Sequence, residues 1–250
     1  MLIVQIMKLI LAEFGYQRVN AGDSNFLQKL SRLDPTYSSY RQVYPEAEIV
    51  LYTDMDIQID GVEVVKVNPP FDKNNPRYGW HCCDFYKVFG MLESKEVCVS
   101  MDSDMYICDP SSFKTLKKIT EKFGCCLPAN SRDLVKIDGH IGSDSDYNIS
   151  EDESGGNGYI TNMTPMTFDP KNERAREFYT TYLENFKKNP SRGTIHLWRA
   201  MWKTSINPYL LPLQWCVCGY DVESVVRKVG VEYPICLHVG HKEVKDKYFE

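Results

Sequence analysis

The sequence predicts an α/β fold in which a mainly parallel central sheet carries helices on both faces. Short apolar runs of strand length alternate along the chain with longer segments whose apolar residues recur at helical spacing. Of the 250 residues, 43% are hydrophobic, which supplies enough apolar surface for one substantial core. No linker divides the chain, so a single domain over residues 1–250 is expected.

The alternation is regular in the first half of the chain. The predicted elements are strands at Lys8–Ala12, 48–53, 62–67 and 96–101, and helices at 24–44 and 80–92. Ser24 is the expected N-cap of the first helix. The Asp34-Pro35 step is expected to break that helix in two, because a proline disfavours helical geometry in the residue before it.

In the second half of the chain, a polar segment interrupts the alternation of predicted strands and helices. A helix is predicted at 111–123, with Ser111 or Ser112 as its cap, followed by a strand at 124–129. Residues 131–158 are rich in Asp, Glu, Ser and Gly and are predicted to form a long loop. The remaining predicted elements are an extended segment at 159–163, helices at 172–188 and 196–203, a second extended segment at 209–213 and a strand at 234–239.

Charge and cysteine content exclude several classes of partner. The formal net charge is -5 and the basic residues are dispersed, so neither a nucleic-acid partner nor a basic membrane patch is expected. The apolar segment 1–14 is too short to span a bilayer, and we interpret it as the opening buried strand rather than a cleaved signal, with no transmembrane segment elsewhere. Nine cysteines without zinc-site spacing indicate reduced thiols and a cytoplasmic location.

A pair of carboxylates follows the predicted strand at 96–101. Asp102 and Asp104 alternate along an extended segment, so both side chains face the same side at the carboxyl end of that strand. Two carboxylates that face one space repel each other unless a cation lies between them. A hard divalent ion, Mn²⁺ or Mg²⁺, is the expected cofactor, placed to chelate a diphosphate. Alone, this pattern also occurs in solvated acidic turns.

A second cluster of functional side chains lies near the C-terminus. His238, Gly240 and Lys242 follow the predicted strand at 234–239 and offer an imidazole, a small residue and an ammonium within a few positions. Histidine is a common metal ligand, glycine lets a phosphate approach the backbone, and lysine adds a positive charge. The sequence therefore predicts that His238 joins Asp102 and Asp104 at one metal site.

The two clusters together resemble those of the GT-A glycosyltransferases, including family 8-like transferases, which carry a DxD motif and close on a His-x-Gly-x-x-Lys tail. The resemblance covers most of the chain, from about residue 8 to residue 242. Weaker similarities lie at the strand of residues 46–54, at the helix that begins near Arg77 and at the glycine-rich segment 155–162. The resemblance implies a nucleotide-sugar donor, most often UDP-linked, a glycan or other hydroxyl acceptor, a nucleotide-binding part at about 1–110 and an acceptor-binding part at about 111–250.

The resemblance also implies roles for individual residues. Asp104 and His238 would bind the metal, and Asp102 would bind it or the ribose. The residues expected near the donor are Ala12, Phe14 and Tyr16 at the uracil and ribose, Arg77, Asp84 and Lys87 at phosphate or sugar, Met101 and Ser103 beside Asp102, and Gly240 and Lys242 at the diphosphate.

The sequence departs from the family pattern in two places. Lys242 stands one residue earlier than in the commonest tail, and residues 194–197 replace the Asp-Gln pair of many retaining relatives. Retention or inversion at the anomeric carbon therefore stays open. An inverting enzyme needs a carboxylate base near the acceptor hydroxyl, for which Asp152 and Glu153 are the candidates.

Two other functions remain open at this point. A sugar-nucleotide pyrophosphorylase would carry a glycine-rich basic loop after its first strand, where residues 13–18 stand instead. A non-catalytic nucleotide-sugar-binding protein would have a degenerate site, which disagrees with the intact carboxylates and His238.

Overall fold

The computed structural model describes residues 6–14, 26–133, 159–219 and 233–249. Its strands are β1 Lys8–Ala12, β2 Ile49–Thr53, β3 Glu63–Lys66, β4 Cys98–Ser100, β5 Met105–Ile107, β6 Cys125–Asp133, β7 Tyr159–Thr161, β8 Met166–Phe168, β9 Tyr209–Leu211 and β10 Cys236–His238. Its helices are α1 Phe26–Val43, α2 Tyr78–Glu93, α3 Pro110–Phe123, α4 Glu173–Lys188, α5 Gly193–Thr204 and α6 Lys242–Tyr248, with a 3-10 turn at Leu213–Trp215.

The central sheet confirms the predicted fold class. Within the described residues it has eight strands in the order β3-β2-β1-β4-β8-β6-β7, with β9 paired to β6. The pairs β3-β2, β2-β1, β1-β4 and β6-β9 are parallel, whereas β8 runs antiparallel to both β4 and β6. The interior strand β1 is apolar from Leu9 to Ala12 because it is covered on both sides, and all four of these residues are buried.

Each face of the sheet has its own hydrophobic core. Ile10 and Ala12 of β1 pack into a cluster with side chains of α2, α4 and α5, and Leu9 and Leu11 pack into a second cluster with α1 and α3. Successive side chains of a strand point to opposite faces, so one five-residue strand contributes to both cores. The prediction of helices on both faces is confirmed. No helix in the described ranges combines the length and the apolar character that crossing a bilayer requires.

The predicted break of the first helix is wrong. α1 continues through Pro35 without interruption. Proline removes one helical hydrogen bond, but the half of α1 that follows it is held by tertiary contacts. Thr36 bonds to the backbone of the Asp102–Met105 turn, and the Tyr40 hydroxyl donates to the Met7 carbonyl oxygen at 2.9 Å. These contacts offset the missing bond.

The cap predicted for α3 is also wrong. Asp109, not Ser111 or Ser112, is the N-cap, and its Oδ1 accepts hydrogen bonds from the backbone N–H groups of Ser111 and Ser112 at 3.0 and 3.1 Å. The Ser112 hydroxyl, which also donates to Asp109, and these backbone bonds hold the pKa of Asp109 below its usual value. Pro110 takes the first helical position, where the N–H group that it lacks is not needed.

Three short elements were not predicted: β5, β8 and α6. The predicted late strand exists as β10, but it does not join the central sheet. It pairs antiparallel with β5 as a separate two-stranded ribbon. Of the predicted loop 131–158, residues 131–133 belong to β6 and the remainder lies outside the described residues.

Candidate functional site

The two carboxylates of the DxD motif lie in a turn between β4 and β5, at the carboxyl ends of the parallel strands β1 and β4. Two threonines from distant segments hold this turn. The Thr36 hydroxyl donates to the Asp102 carbonyl oxygen at 2.8 Å and accepts from the Met105 N–H at 2.9 Å. The Thr164 hydroxyl accepts from the Asp102 N–H at 2.9 Å. The backbone of the motif is therefore fixed from both sides.

The middle residue of the motif faces the protein interior. Ser103 is fully buried, and its hydroxyl donates to Glu13 Oε2 at 2.6 Å. Glu13 is itself fully buried at the end of β1. Ser103 therefore points away from the space into which the carboxylates of Asp102 and Asp104 approach His238.

The ribbon formed by β5 and β10 brings the C-terminal histidine to this turn. His238 lies opposite Met105 in the register of the ribbon, and the next residue, Val239, donates its N–H to the Asp104 carbonyl oxygen at 2.8 Å. The His238 Nε2 atom lies 3.2 Å from Asp102 Oδ2 and 3.6 Å from Asp104 Oδ1. One ligand atom from each of the three residues lies within 4.8 Å of the others. The structure thus brings together the three residues that the sequence predicted to share a site.

Gly240 lies against the second carboxylate. A methyl group built on its Cα atom would lie 2.1 Å from Asp104 Oδ2, a distance that no real contact allows. The residue therefore has to be glycine for Asp104 to keep its position.

A buried lysine shares the first carboxylate. Lys87 of α2 is 3% exposed, and its Nζ atom lies 2.6 Å from Asp102 Oδ1 and 3.6 Å from Asp84 Oδ1. Asp84 in turn accepts a hydrogen bond from the Gly193 N–H at 3.1 Å. An unbroken series of polar contacts thus runs from the start of α5 through Asp84, Lys87 and Asp102 to His238.

The charges of the site determine the protonation of its imidazole. Burial by itself lowers the pKa of His238, but the carboxylates of Asp104 and Asp102 outweigh it and raise the pKa to about 9. At neutral pH the imidazole therefore carries a proton between two carboxylates, so positive charge is held where a cation would fit. The pKa of His241, whose ring centroid lies 4.7 Å from that of His238, is lowered by burial and by that neighbouring charge.

A cavity of about 510 Å³ opens beside these residues. Four residues that the resemblance assigned to the metal or the donor line it: Asp84, Lys87, Asp102 and His238. Several other lining residues were not singled out from the sequence, including Arg192, Gly193 and Glu243.

The other predicted site residues that the structure describes do not line this cavity. Ala12, Phe14 and Met101 are buried in the two cores, and the Phe14 ring stacks on Tyr86 with centroids 4.9 Å apart. Arg77 lies just before α2 and is outside the cavity lining. Lys242 is exposed at the start of α6 and pairs with Asp246. Tyr16, Asp152 and Glu153 lie outside the described residues.

Glu13, Thr36 and Thr164 hold the turn that carries the carboxylates, and only Glu13 left a signal in the sequence. Glu13 is a charged residue at the end of a buried apolar strand, which is an uncommon position for a carboxylate. Thr36 and Thr164 carry no such signal, because a hydroxyl that bonds to a distant backbone leaves no periodic or spacing pattern.

Comparison with known proteins gives structural relatives only. No protein-family model and no curated protein sequence matches the chain. Similar solved structures include the apo form of the bifunctional glycosyltransferase WbbM, with a TM-score of 0.57 and 9% identity over 98% of this chain and 47% of that one. The glycosyltransferase GlyE of Streptococcus pneumoniae gives 0.55 and 14% over 98% of this chain and 57% of that one. An active-site mutant of LgtC gives 0.53 and 11% over 93% and 86%.

These similarities show the fold of the chain. It has the GT-A fold, with the mostly parallel central sheet flanked by helices that its glycosyltransferase neighbours share. The chain spans about half the length of WbbM and of GlyE. At 14% identity or less, the comparison concerns the backbone, so the activity has to be argued from the site.

Proposed function

We propose that the chain is a metal-dependent glycosyltransferase that moves a sugar from a nucleoside-diphosphate sugar to a hydroxyl acceptor such as a glycan. A UDP-linked sugar is the first donor to test. One observation carries the proposal: Asp102, Asp104 and His238, which come from two distant parts of the chain, converge beside Lys87 at the carboxyl edge of a GT-A sheet.

The donor atoms of this group fit a divalent cation. Two carboxylates and one imidazole offer ligand atoms within 4.8 Å of one another, and the close fit of Asp104 against Gly240 fixes one of them. Carboxylates suit Mn²⁺ and Mg²⁺ alike, whereas an imidazole is more often found on transition metals, so Mn²⁺ is the better candidate. When bound, the ion would neutralise charge on the leaving diphosphate.

The protein residues around the group would orient the donor. Lys87 takes one oxygen of Asp102, so the other oxygen, which faces His238, is the one available to a cation. The threonine contacts of the turn keep both carboxylates in place, which limits the reorganisation that donor binding requires.

The proposal extends to further residues around the donor and to the catalytic base. Ala12, Phe14 and Tyr16 would lie near the uracil and ribose, Met101 and Ser103 near the donor, and Arg77, Gly240 and Lys242 near phosphates. Asp152 or Glu153 would serve as the base if the reaction inverts the anomeric centre. All nine cysteines lie in the described residues and none forms a disulfide, which supports a cytoplasmic location.

A donor panel tests the proposal. Purified protein is incubated with Mn²⁺ and UDP-, GDP- and TDP-sugars, and slow release of nucleoside diphosphate is measured without an acceptor. Release from one class of donor is expected, together with its loss in Asp104→Asn and in EDTA. Asp60→Asn changes an exposed carboxylate outside the cavity lining and is the matched control.

The same assay separates the other candidates. Pyrophosphate-dependent formation of a nucleoside triphosphate would identify a pyrophosphorylase instead. Metal-dependent nucleotide binding without any turnover would identify a non-catalytic binding protein.

A further inference from the structure

The rim of the cavity carries an aromatic ring and a guanidinium that the site described so far does not use. Trp80 lines the cavity and is nevertheless 44% exposed. Arg192 also lines the cavity, and its guanidinium carbon lies 5.7 Å from the centroid of the Trp80 ring. The guanidinium carbon of Arg77 lies 5.6 Å from the same ring.

The backbone that carries Arg192 is tightly held. Arg192 is the N-cap of α5, and the next residue, Gly193, packs so closely that a methyl group on it would lie 2.1 Å from Met163 Sδ. The Gly193 N–H donates to Asp84. The Arg192 side chain is thus attached to a backbone held in one position, at the N-terminal end of a 12-residue helix.

The charge on Arg192 is available to a ligand. Two other cations that line the cavity already have carboxylate partners: Lys87 contacts Asp102 and Asp84, and the protonated His238 contacts Asp102 and Asp104. Arg192 makes no ion pair with any residue in the described ranges. The Trp80 ring face compensates only part of the Arg192 charge, and an anion at the rim would neutralise the rest.

We infer that this rim, which we call the Arg192 rim, binds the anionic substituent of a sugar, a carboxylate or a phosphate. The inference rests on the proposed function for its sugar. A guanidinium that stacks on an aromatic face leaves its N–H edge open for paired hydrogen bonds to two anionic oxygens. The sugar can belong to the donor or to the acceptor. Either position is compatible with the proposed metal site, because Arg192 and Asp102 line the same cavity.

Direct binding tests the Arg192 rim without turnover. Methyl glucuronide, glucose 6-phosphate and methyl glucoside are titrated into the full chain by calorimetry. The two anionic sugars are expected to bind about tenfold more tightly than the neutral one. Arg192→Gln is expected to abolish that difference, and Arg192→Lys to keep part of it, since lysine retains the charge but not the paired donors.

Lys203→Gln is the matched control, because it removes an exposed charge from the same helix outside the cavity. Its preference for the anionic sugars should equal that of the unmodified chain. Equal affinity of the unmodified chain for all three sugars would overturn the inference. So would a preference that survives in a folded Arg192→Gln variant.

Activity assays identify which substrate carries the charge. If the donor does, Arg192→Gln slows hydrolysis of UDP-glucuronate but not of UDP-glucose. If the acceptor does, the variant keeps both hydrolysis rates and loses transfer to acidic acceptors only. Weaker Mn²⁺-dependent binding of UDP alone to Arg192→Gln would assign Arg192 to the diphosphate and overturn the inference. Absence of hydrolysis with every donor would refute the glycosyltransferase proposal. The calorimetric titration would then still decide whether the Arg192 rim binds anionic sugars.

Discussion

Gly240 is the residue at which a single methyl group has the largest expected effect on the site. Its Cα atom supports the Asp104 carboxylate, and a Cβ atom there would lie 2.1 Å from Oδ2 and 3.1 Å from the carboxyl carbon. The backbone of Gly240 is not in the left-handed region, so alanine is excluded by the carboxylate and not by strain. The Asp104 side chain must move if the methyl group is added.

Gly240→Ala is therefore expected to weaken Mn²⁺ binding by about 10- to 100-fold, the usual effect of disturbing the support of a metal ligand. Calorimetric titration with Mn²⁺ measures it, and a circular-dichroism spectrum establishes that the variant is folded. Lys245→Ala, an exposed change in α6, is the control. Unchanged affinity in Gly240→Ala would mean that Asp104 does not ligate the ion in its present position.

Among the helices, α3 has an aspartate, Asp109, as its N-cap, and the stability that this cap contributes can be measured. Asp109→Ala removes the acceptor of two backbone N–H groups and is expected to lower the free energy of unfolding by about 1 kcal/mol. Ser111→Ala, at the position that the sequence suggested, should stay within about 0.5 kcal/mol of the parent chain. Urea denaturation at neutral pH compares the two. A larger loss in the serine variant would reverse the assignment.

The junction of α4 and α5 contains a buried histidine whose protonation opposes folding. His196 is fully buried against Tyr182 and Phe186, and its Nε2 atom lies 3.1 Å from the Ser191 hydroxyl. Burial lowers the pKa of His196 from 6.5 to about 4. The unfolded chain therefore binds this proton more readily than the folded chain between these two values.

The stability that the neutral imidazole contributes is present above pH 6.5 and is lost as the pH falls toward 4. At about pH 4.5 the loss attributable to His196 is expected to reach about 2 kcal/mol. His196→Gln cannot take up the proton, so its free energy of unfolding should fall less between pH 7.5 and 4.5 than that of the parent chain. Urea titrations at the two pH values measure the difference. Parallel losses in the two proteins would contradict this account.

At the scale of the whole molecule, the group of Asp102, Asp104 and His238 connects segments that are far apart in the chain. Asp102 and His238 are 136 positions apart, and a cation between them would stabilise the folded chain without binding the unfolded one. Mn²⁺ at about a hundred times its dissociation constant is expected to raise the free energy of unfolding by about 2.7 kcal/mol. Thermal unfolding in Mn²⁺ and in EDTA measures the effect. Asp104→Asn should abolish it, and an equal increase in that variant would place the ion elsewhere.

Much of the fold could be predicted because burial leaves a local pattern. A parallel strand covered on both faces must be apolar at successive positions, as β1 and β2 are, and a helix on the sheet must repeat its apolar residues at helical spacing. The DxD motif could be placed for the same reason, since it follows such a strand. These features depend on neighbours in the sequence, so the sequence contains them.

The remaining features of the fold and the site depend on which distant segments contact each other, and tertiary packing determines these contacts. β10 leaves the central sheet and pairs with β5, and this pairing carries His238 to within 3.2 Å of Asp102. Thr36 anchors the motif across 66 positions, and its contacts help α1 to continue through Pro35. No short segment of the sequence contains a pattern for such contacts, because they form only when two distant segments pack together. Residue type and spacing thus predicted the candidate ligands and most of the helices, whereas the tertiary contacts set their mutual distances.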